Sequence, residues 1–165
     1  STVATNGALY QHWVRGNPLG ALASPTLIQN ADVIFRHTQD RPWLAAQLPA
    51  LDRAADYLAS ITTAEGAVKG AGYYVERPTR LDTDGVAQGH AFDAFQRLAA
   101  LRRAVGDPGG LAARYIALAD HIRGHFTTRY WLGDRFVEYE HPQRGLIATH
   151  GLTDTDWAAL ATGIA

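Results

Sequence analysis

Apolar side chains recur at steps of three and four along most of this chain, which is the period of amphipathic α-helices. The first stripe follows a Ser24-Pro25 pair, which predicts Ser24 as the N-cap and Pro25 as the first helical residue. The second stripe follows Asp40, the predicted N-cap of the next helix, and runs across an internal Pro49 that predicts a kink or a weak first turn. Residues 25–62 therefore predict one helical hairpin.

The same pattern returns after a long connection. Its apolar positions lie on either side of a Gly106-Asp107-Pro108 turn: Phe92, Phe95, Leu98 and Leu101, then Leu111, Tyr115, Leu118, Ile122 and Phe126. When position 40 is set on position 107, an offset of 67 residues, both pairs of stripes align. Residues 86–129 therefore predict a second hairpin that repeats the first.

The remaining residues predict a short β-hairpin and a fifth helix. The segment from Tyr130 to Tyr139 predicts two strands around a Gly133-Asp134 turn, and the residues from His141 to Gly151 predict a loop. Thr153 or Asp154 is the predicted cap of a fifth helix that begins near Asp156. This helix would be the first half of a third hairpin that starts at about residue 153. This last helix has no stop signal before Ala165, so we expect the chain to be a fragment.

Tandem helical hairpins predict an all-α fold. Each hairpin needs a neighbour to bury both of its faces, so the array either closes into an α/α toroid or continues as a short α-solenoid. The chain has 165 residues, of which 47% are hydrophobic and 19% are charged, which is typical of a single globular domain.

Charge and composition exclude several function classes. The formal net charge is -1, which provides no field that would attract nucleic acid or an anionic membrane surface. No apolar run is long enough for a membrane span, no secretory signal pattern is present, and no cysteine is available for a disulfide or a thiolate metal site. These features leave the cellular compartment undetermined.

The stretch from Gly70 to Phe95 differs from the helices around it. It carries aromatic and ionisable side chains close together: Tyr73, Tyr74, Glu76, Arg77, Arg80, Asp82, Asp84 and His90. Charged aromatic loops on rigid helices are common places for binding and catalysis. The stretch is therefore the predicted functional site.

Several motifs resemble those of one enzyme family. They are the run from Asp84 to Leu101, DGVAQGHAFDAFQRLAAL, followed by Val105-Gly-Asp-Pro108, then Phe126 to Trp131, and HGLTDTDWAALA from His150 to Ala161. Together these resemble the hairpins of six-hairpin glycosidases, the (α/α)6-barrel glycoside hydrolases of the rhamnosidase and debranching-enzyme type. The resemblance covers roughly Asp40 to Ala165. Such barrels usually have twelve helices, so it implies that this chain is part of a toroid whose remainder lies in the same or an associated chain.

The resemblance implies hydrolysis of an oligosaccharide or glycoside by two carboxyl groups, without a metal or cofactor. The candidate catalytic residues are Glu76, favoured as the acid because it follows an aromatic pair, and Asp82 or Asp84. The candidate substrate-binding residues are Tyr73, Tyr74, Arg77, His90, Trp131, His150 and Trp157, where the aromatic rings would stack on sugar faces.

Each candidate also has a structural interpretation. Asp82 and Asp84 precede a turn and a helix and are suited to capping, and Glu76 could pair with Arg77. His121 and His125 have the i, i+4 spacing of some zinc sites but lack a third ligand, which favours a surface role. Glu138 and Glu140 alternate with apolar residues as in an edge strand, and the alternative is that one of them lines the cleft.

Three function classes remain open at this point. A glycoside hydrolase is favoured, and an epimerase or lyase on the same toroid would move the proton with histidine or tyrosine instead. A non-catalytic repeat scaffold would have short inter-hairpin loops, whereas the loop from Ala64 to Gly85 is long and charged. Fold analogy carries much of the preference for hydrolysis.

Overall fold

The computed structural model describes residues 22–69, 83–149 and 154–165, and within them the fold is mostly α-helical as predicted. It contains five helices and one two-stranded antiparallel sheet. The helices are α1 (Ala23–Thr38), α2 (Arg41–Ser60), α3 (Gly85–Ala104), α4 (Ala112–Arg129) and α5 (Asp154–Thr162), and the strands are β1 (Tyr139–His141) and β2 (Gly145–Ile147).

Helix α3 is the centre of the packing. It contacts α1, α2, α4 and α5, while α2 also packs on α1. The inter-helix core is built from the predicted stripes, with Leu44, Phe95, Leu98, Ile122 and Phe126 all buried. Gln29 on α1 contacts Asp93 on α3, and Asp32, further along α1, contacts Arg97, further along α3. The two helices therefore run in the same direction, with both N-termini at one end of the helix layer.

The helix boundaries confirm one predicted cap and correct another. Asp40 is the N-cap of α2, where its carboxylate accepts a hydrogen bond from Trp43 N at 2.9 Å, and α2 continues as one helix across Pro49. Ser24 is not an N-cap, because α1 already begins at Ala23 and Leu22 precedes it. Ser24 lies buried in the first turn instead, where its side chain packs inward rather than back onto the helix end.

The chain turns back at the predicted place around Gly133, where Trp131 and Phe136 form an antiparallel bridge and Leu132 N donates to Arg135 O at 3.0 Å. The two-stranded sheet itself lies further along the chain, and its second strand, β2, falls in the segment that was predicted to be a loop. A three-residue turn beginning with Pro142 joins the two strands, and Gly145 has a φ of 74°, which a side chain would disfavour. Pro142 and Gly145 were the sequence signal for this turn.

Helix α5 begins at Asp154, two residues before the predicted start, and it has a stop that the sequence interpretation missed. It ends at Thr162, where Gly163 has a φ of 69° and its N–H donates to Ala159 O at 3.1 Å. A left-handed glycine followed by a buried apolar residue, here Ile164, is a common way to end a helix. The prediction that the chain runs out within a helix is therefore wrong.

Two glycines allow α5 to approach α3 closely. A Cβ on Gly85 would lie 2.6 Å from Thr155 Cγ2 and 2.8 Å from Val137 O, and one on Gly89 would lie 3.2 Å from Ala158 O. Gly85 N also donates to Glu138 O at 2.8 Å, which joins the start of α3 to the residue before β1. The segments from 137 onward are thus fixed against the N-terminal end of α3.

Polar side chains connect the helices at two further places. Asp32 on α1 is buried and pairs with Arg97 on α3 at 2.5 Å, while Arg97 also pairs with Asp93 at 2.6 Å. Asp52 on α2 pairs with Arg102 on α3. Among the described residues, no helix is long and apolar enough to cross a membrane.

Candidate functional site

A groove with a volume of about 990 Å³ opens beside the N-terminal end of α3. Three segments that are distant in sequence form its walls: the residues after α2, the second half of α4, and the β1–β2 hairpin. The polar side chains that line it are Thr63, Glu65, Lys69, Thr83, Asp120, His121, His125, Thr128, Arg129, Glu140 and His141. A groove with convergent polar groups is the usual form of a small-molecule site.

The first wall is a tight turn between α2 and Lys69. Thr62 and Val68 form an isolated antiparallel bridge, and Thr63 N donates to Ala67 O at 2.8 Å inside it. Gly66, with a φ of 97°, lies directly on α4, since a Cβ there would come within 2.6 Å of His121 O. Only glycine allows this approach, so Gly66 sets how closely the first wall meets the second.

Gln88 on α3 holds the first wall from inside. Its buried side chain accepts a hydrogen bond from Val68 N at 2.7 Å and donates to Val68 O at 2.9 Å. It also donates to Asp84 O at 3.0 Å. A primary amide has both a donor and an acceptor, so it can satisfy the N–H and the C=O of one residue together.

The second wall is one face of α4. His121, His125 and Arg129 follow each other at four-residue spacing and therefore lie on the same side of the helix. The His125 ring packs edge-on against Tyr130, with ring centroids 5.8 Å apart. Tyr130 is itself buried, and its hydroxyl donates a hydrogen bond to Thr83 O. The tyrosine ring that contacts His125 is therefore held next to the start of α3.

The third wall is the β1–β2 hairpin. Glu140 pairs with Arg129 at 2.9 Å, which joins the hairpin to α4. His141 Nδ1 accepts hydrogen bonds from Gln143 N at 3.1 Å and Arg144 N at 3.2 Å. Because Nδ1 accepts from the backbone, the neutral ring carries its proton on Nε2.

The groove combines an ionised carboxylate with a neutral imidazole. A hydrogen bond from Thr63 is the largest cause that lowers the pKa of Glu65, and the charge of His125 adds to this. Burial is the largest cause that lowers the pKa of His125, although Glu140 acts in the opposite direction. At neutral pH the Glu65 side chain is therefore an acceptor and His125 is uncharged, able to accept one hydrogen bond and donate another.

No metal site accompanies His121 and His125. In the part of the chain that the structure describes, no group of three histidine, aspartate or glutamate side chains is close enough to hold an ion. The i, i+4 pair is instead part of the groove wall.

Asp84 lies at the start of α3 and caps it. Its Oδ1 accepts hydrogen bonds from Val86 N at 2.8 Å and Ala87 N at 3.4 Å, and the residue is fully buried. This agrees with the capping interpretation of Asp84. The other two candidate acids, Glu76 and Asp82, lie outside the described residues.

His90 lies between α1 and α3 and is not among the groove residues. Its Nδ1 is 3.1 Å from Gln29 Nε2, and Gln29 also donates to Asp93 at 2.7 Å. Burial is the main cause that lowers the pKa of His90, against the charge of Asp93. In this position His90 links two helices.

Trp131 and Trp157 lie apart from the groove. Trp131 is half-exposed, and its ring is tilted by 54° against that of Phe136 with centroids 5.0 Å apart. It lines a smaller apolar cavity of about 300 Å³ with Phe126. Trp157 is 70% exposed on α5. The other candidate binding residues, Tyr73, Tyr74, Arg77 and His150, lie outside the described residues.

Sequence reasoning missed most of the groove. Glu65, Lys69 and His141 were not predicted as site residues, and Glu140 was interpreted as part of an edge strand. The available signal was the spacing of Asp120, His121 and His125 on one helix face, together with charged residues in the two connections at the same end of the layer. The packing of Gly66 on α4 and the Arg129–Glu140 pair bring these segments together.

Comparison with known proteins finds a structural likeness only. No protein-family model and no curated protein matches the chain. A solved structure that it resembles is the crystal structure of a GH78 family rhamnosidase of Bacillus sp. GL1, with a TM-score of 0.79 and 16% sequence identity. The match covers 90% of this chain and 16% of that one. The two share a fold over the part of the longer chain that is matched.

Proposed function

We propose that this chain is part of the helical domain of a glycoside hydrolase and that a glycosidic bond is cleaved in the groove. The observation that carries the proposal is that Lys69 and Thr83 both line the groove. These two residues flank the segment that contains Glu76 and Asp82. The described residues on either side of the acid-rich segment thus line one groove, and we take the carboxyl groups of that segment as the candidates for catalysis there.

The surroundings of the segment suit its chemistry. Asp82 is the covalent neighbour of Thr83, whose hydroxyl donates to Glu140 O at 3.2 Å on the third wall. Hydrolysis requires one protonated and one ionised carboxyl group, and a site between aromatic and charged residues can separate their pKa values. We assign the acid to Glu76 and the second role to Asp82, while Asp84 acts as the helix cap.

The proposal is tested with the natural polypeptide by hydrolysis of a panel of alkyl glycosides, including the α-L-rhamnoside, because their leaving alcohols need a proton from the general acid. The Glu76→Gln variant is expected to lower kcat by roughly 10²- to 10⁴-fold, the usual contribution of a general acid, and Asp82→Asn should give a comparable loss. The matched control is Asp56→Asn, since Asp56 lies on the exposed side of α2 and pairs only with an exposed Arg114. Full activity in both Glu76→Gln and Asp82→Asn would contradict the assignment.

The proposed hydrolysis also needs helices in addition to the five described here. The match covers 16% of the rhamnosidase chain, and α5 exposes Trp157 and Leu160, which are 70% and 72% accessible. We propose that the remainder of a toroid, in the same or an associated chain, packs there. The natural polypeptide, or a complex isolated with it, is then expected to have an intact mass above 17.9 kDa by native mass spectrometry. A species of 17.9 kDa that hydrolyses glycosides alone would overturn this part of the proposal.

One observation favours an epimerase or lyase as the second candidate. The groove contains three imidazoles, those of His121, His125 and His141, which are suited to moving a proton without a carboxyl pair. The products distinguish the two classes, because hydrolysis incorporates oxygen from labelled water into the released sugar and elimination leaves a double bond that absorbs in the ultraviolet. Turnover that survives Glu76→Gln and Asp82→Asn but is lost in His125→Ala would favour the second candidate.

A further inference from the structure

We propose that His125 is a substrate-binding residue of the groove and that its Nε2 holds a hydroxyl group of a sugar bound there. The inference deepens the proposed function and rests on it. It assigns a role to His125, which takes no part in the proposed hydrolysis by two carboxyl groups. The argument depends on the place of the ring, on a missing hydrogen-bond partner and on the charge of the imidazole.

The ring lies in the groove wall and has a neighbour on each side. Tyr130 packs against its edge, with centroids 5.8 Å apart, and the Tyr130 hydroxyl is bonded to Thr83 O. On the other side, the first wall comes so close that a Cβ on Gly66 would lie 3.1 Å from His125 Cβ. His125 is therefore held between α4 and the segment after α2, and it faces the same cavity as Glu65 and Lys69.

One nitrogen of this ring has no partner within the described part of the protein. His125 Nε2 is buried and accepts or donates no hydrogen bond there. Leaving a buried polar atom without a partner costs roughly 1–3 kcal/mol, and such atoms are few in native proteins. Since the ring is only half-buried and its χ2 torsion is soft, a small rotation brings Nε2 to a hydroxyl in the groove.

The charge of the ring suits a neutral ligand. Burial keeps the imidazole uncharged at neutral pH, against the influence of Glu140. The charged groups that line the groove nearly balance, with Lys69 and Arg129 against Glu65, Asp120 and Glu140. A neutral imidazole in a balanced groove recognises hydroxyl groups rather than a phosphate or a carboxylate, so the ligand class is an uncharged sugar.

The test follows the ring nitrogens of His125 by NMR while L-rhamnose, D-glucose and D-galactose are titrated separately into the natural polypeptide. The resonance of Nε2 is expected to shift with the sugar whose glycoside the polypeptide hydrolyses. The His125→Phe variant keeps a ring against Tyr130 but lacks the nitrogen, and it should weaken binding of that sugar roughly two- to tenfold, the effect of one hydrogen bond. The His125→Gln variant, which restores a polar group, should recover part of this loss.

The control is His37→Phe, since His37 lies at the exposed end of α1 and bonds to Val33 O. Sugar binding that shifts other groove residues, with neither a His125 shift nor a change of affinity in His125→Phe, would overturn this inference and leave the proposed function intact. Hydrolysis without any sugar response in the groove would also overturn it. If the polypeptide neither hydrolyses a glycoside nor binds a sugar, the proposed function fails together with the inference.

Discussion

Replacing Asp52 by alanine is expected to lower the free energy of unfolding by about 3–5 kcal/mol, because it leaves a buried guanidinium without its nearest counter-charge. Asp107, at 3.5 Å from Arg102 Nη1, is the more distant partner that remains. Arg102 is only 5% exposed. Its Nε and Nη2 donate to the two carboxylate oxygens of Asp52 at 3.0 and 2.5 Å. The Tyr115 hydroxyl donates to the same carboxylate at 2.8 Å. One side chain thus holds α2, α3 and α4 together, and its loss leaves three donor groups without this acceptor.

Asp56→Ala is the matched control for stability. Asp56 stands one turn further along α2 and pairs with Arg114 at 2.7 Å, but both side chains are about half exposed. Exposed pairs contribute about 0–1 kcal/mol, since water screens them. Urea unfolding of both variants measures the difference. Equal destabilisation by Asp52→Ala and Asp56→Ala would show that burial of the Arg102 pair has no special importance.

The Gln88→Met variant is expected to lower the free energy of unfolding by about 2–6 kcal/mol, since two buried backbone groups lose their partners at about 1–3 kcal/mol each. Methionine is unbranched and similar in size, so the change removes hydrogen bonds with little change in packing. The groups concerned are the N–H and C=O of Val68, which is fully buried. Activity in the groove should fall as well, because Val68 lies in the wall that carries Glu65 and Lys69.

Hydrogen exchange locates the effect. The Val68 amide should exchange faster in Gln88→Met than in the parent protein, while amides within α4 change less. Gln88→Glu retains an acceptor for Val68 N and is expected to recover part of the protection. Gln96→Met, at a half-buried position of the same helix, serves as the control and should be within about 0.5 kcal/mol of the parent. Unchanged exchange at Val68 would show that Gln88 does not hold the wall.

The sequence by itself determined the local part of this structure. Helices α1 to α4 follow the predicted stripes because an amphipathic period and a cap such as Asp40 act within a few residues. The all-α class follows from those stripes, and the turn at Gly145 and the stop at Gly163 were readable from local signals that the interpretation passed over. These are short-range effects of backbone conformation.

The tertiary structure alone decided the groove. Its walls come from residues 63–69, 120–129 and 140–145, and nothing in the periodicity of one segment tells which other segment it will meet. The pairing of Gln88 with Val68, of Asp52 with Arg102, and of Gly66 with α4 joins residues far apart in sequence. The hydrogen bonds and ion pairs among them depend on where whole helices pack. For that reason the sequence alone predicted a functional site only in the stretch from Gly70 to Phe95. The packing of the helices is what brings His125, Glu65 and Glu140 to one groove.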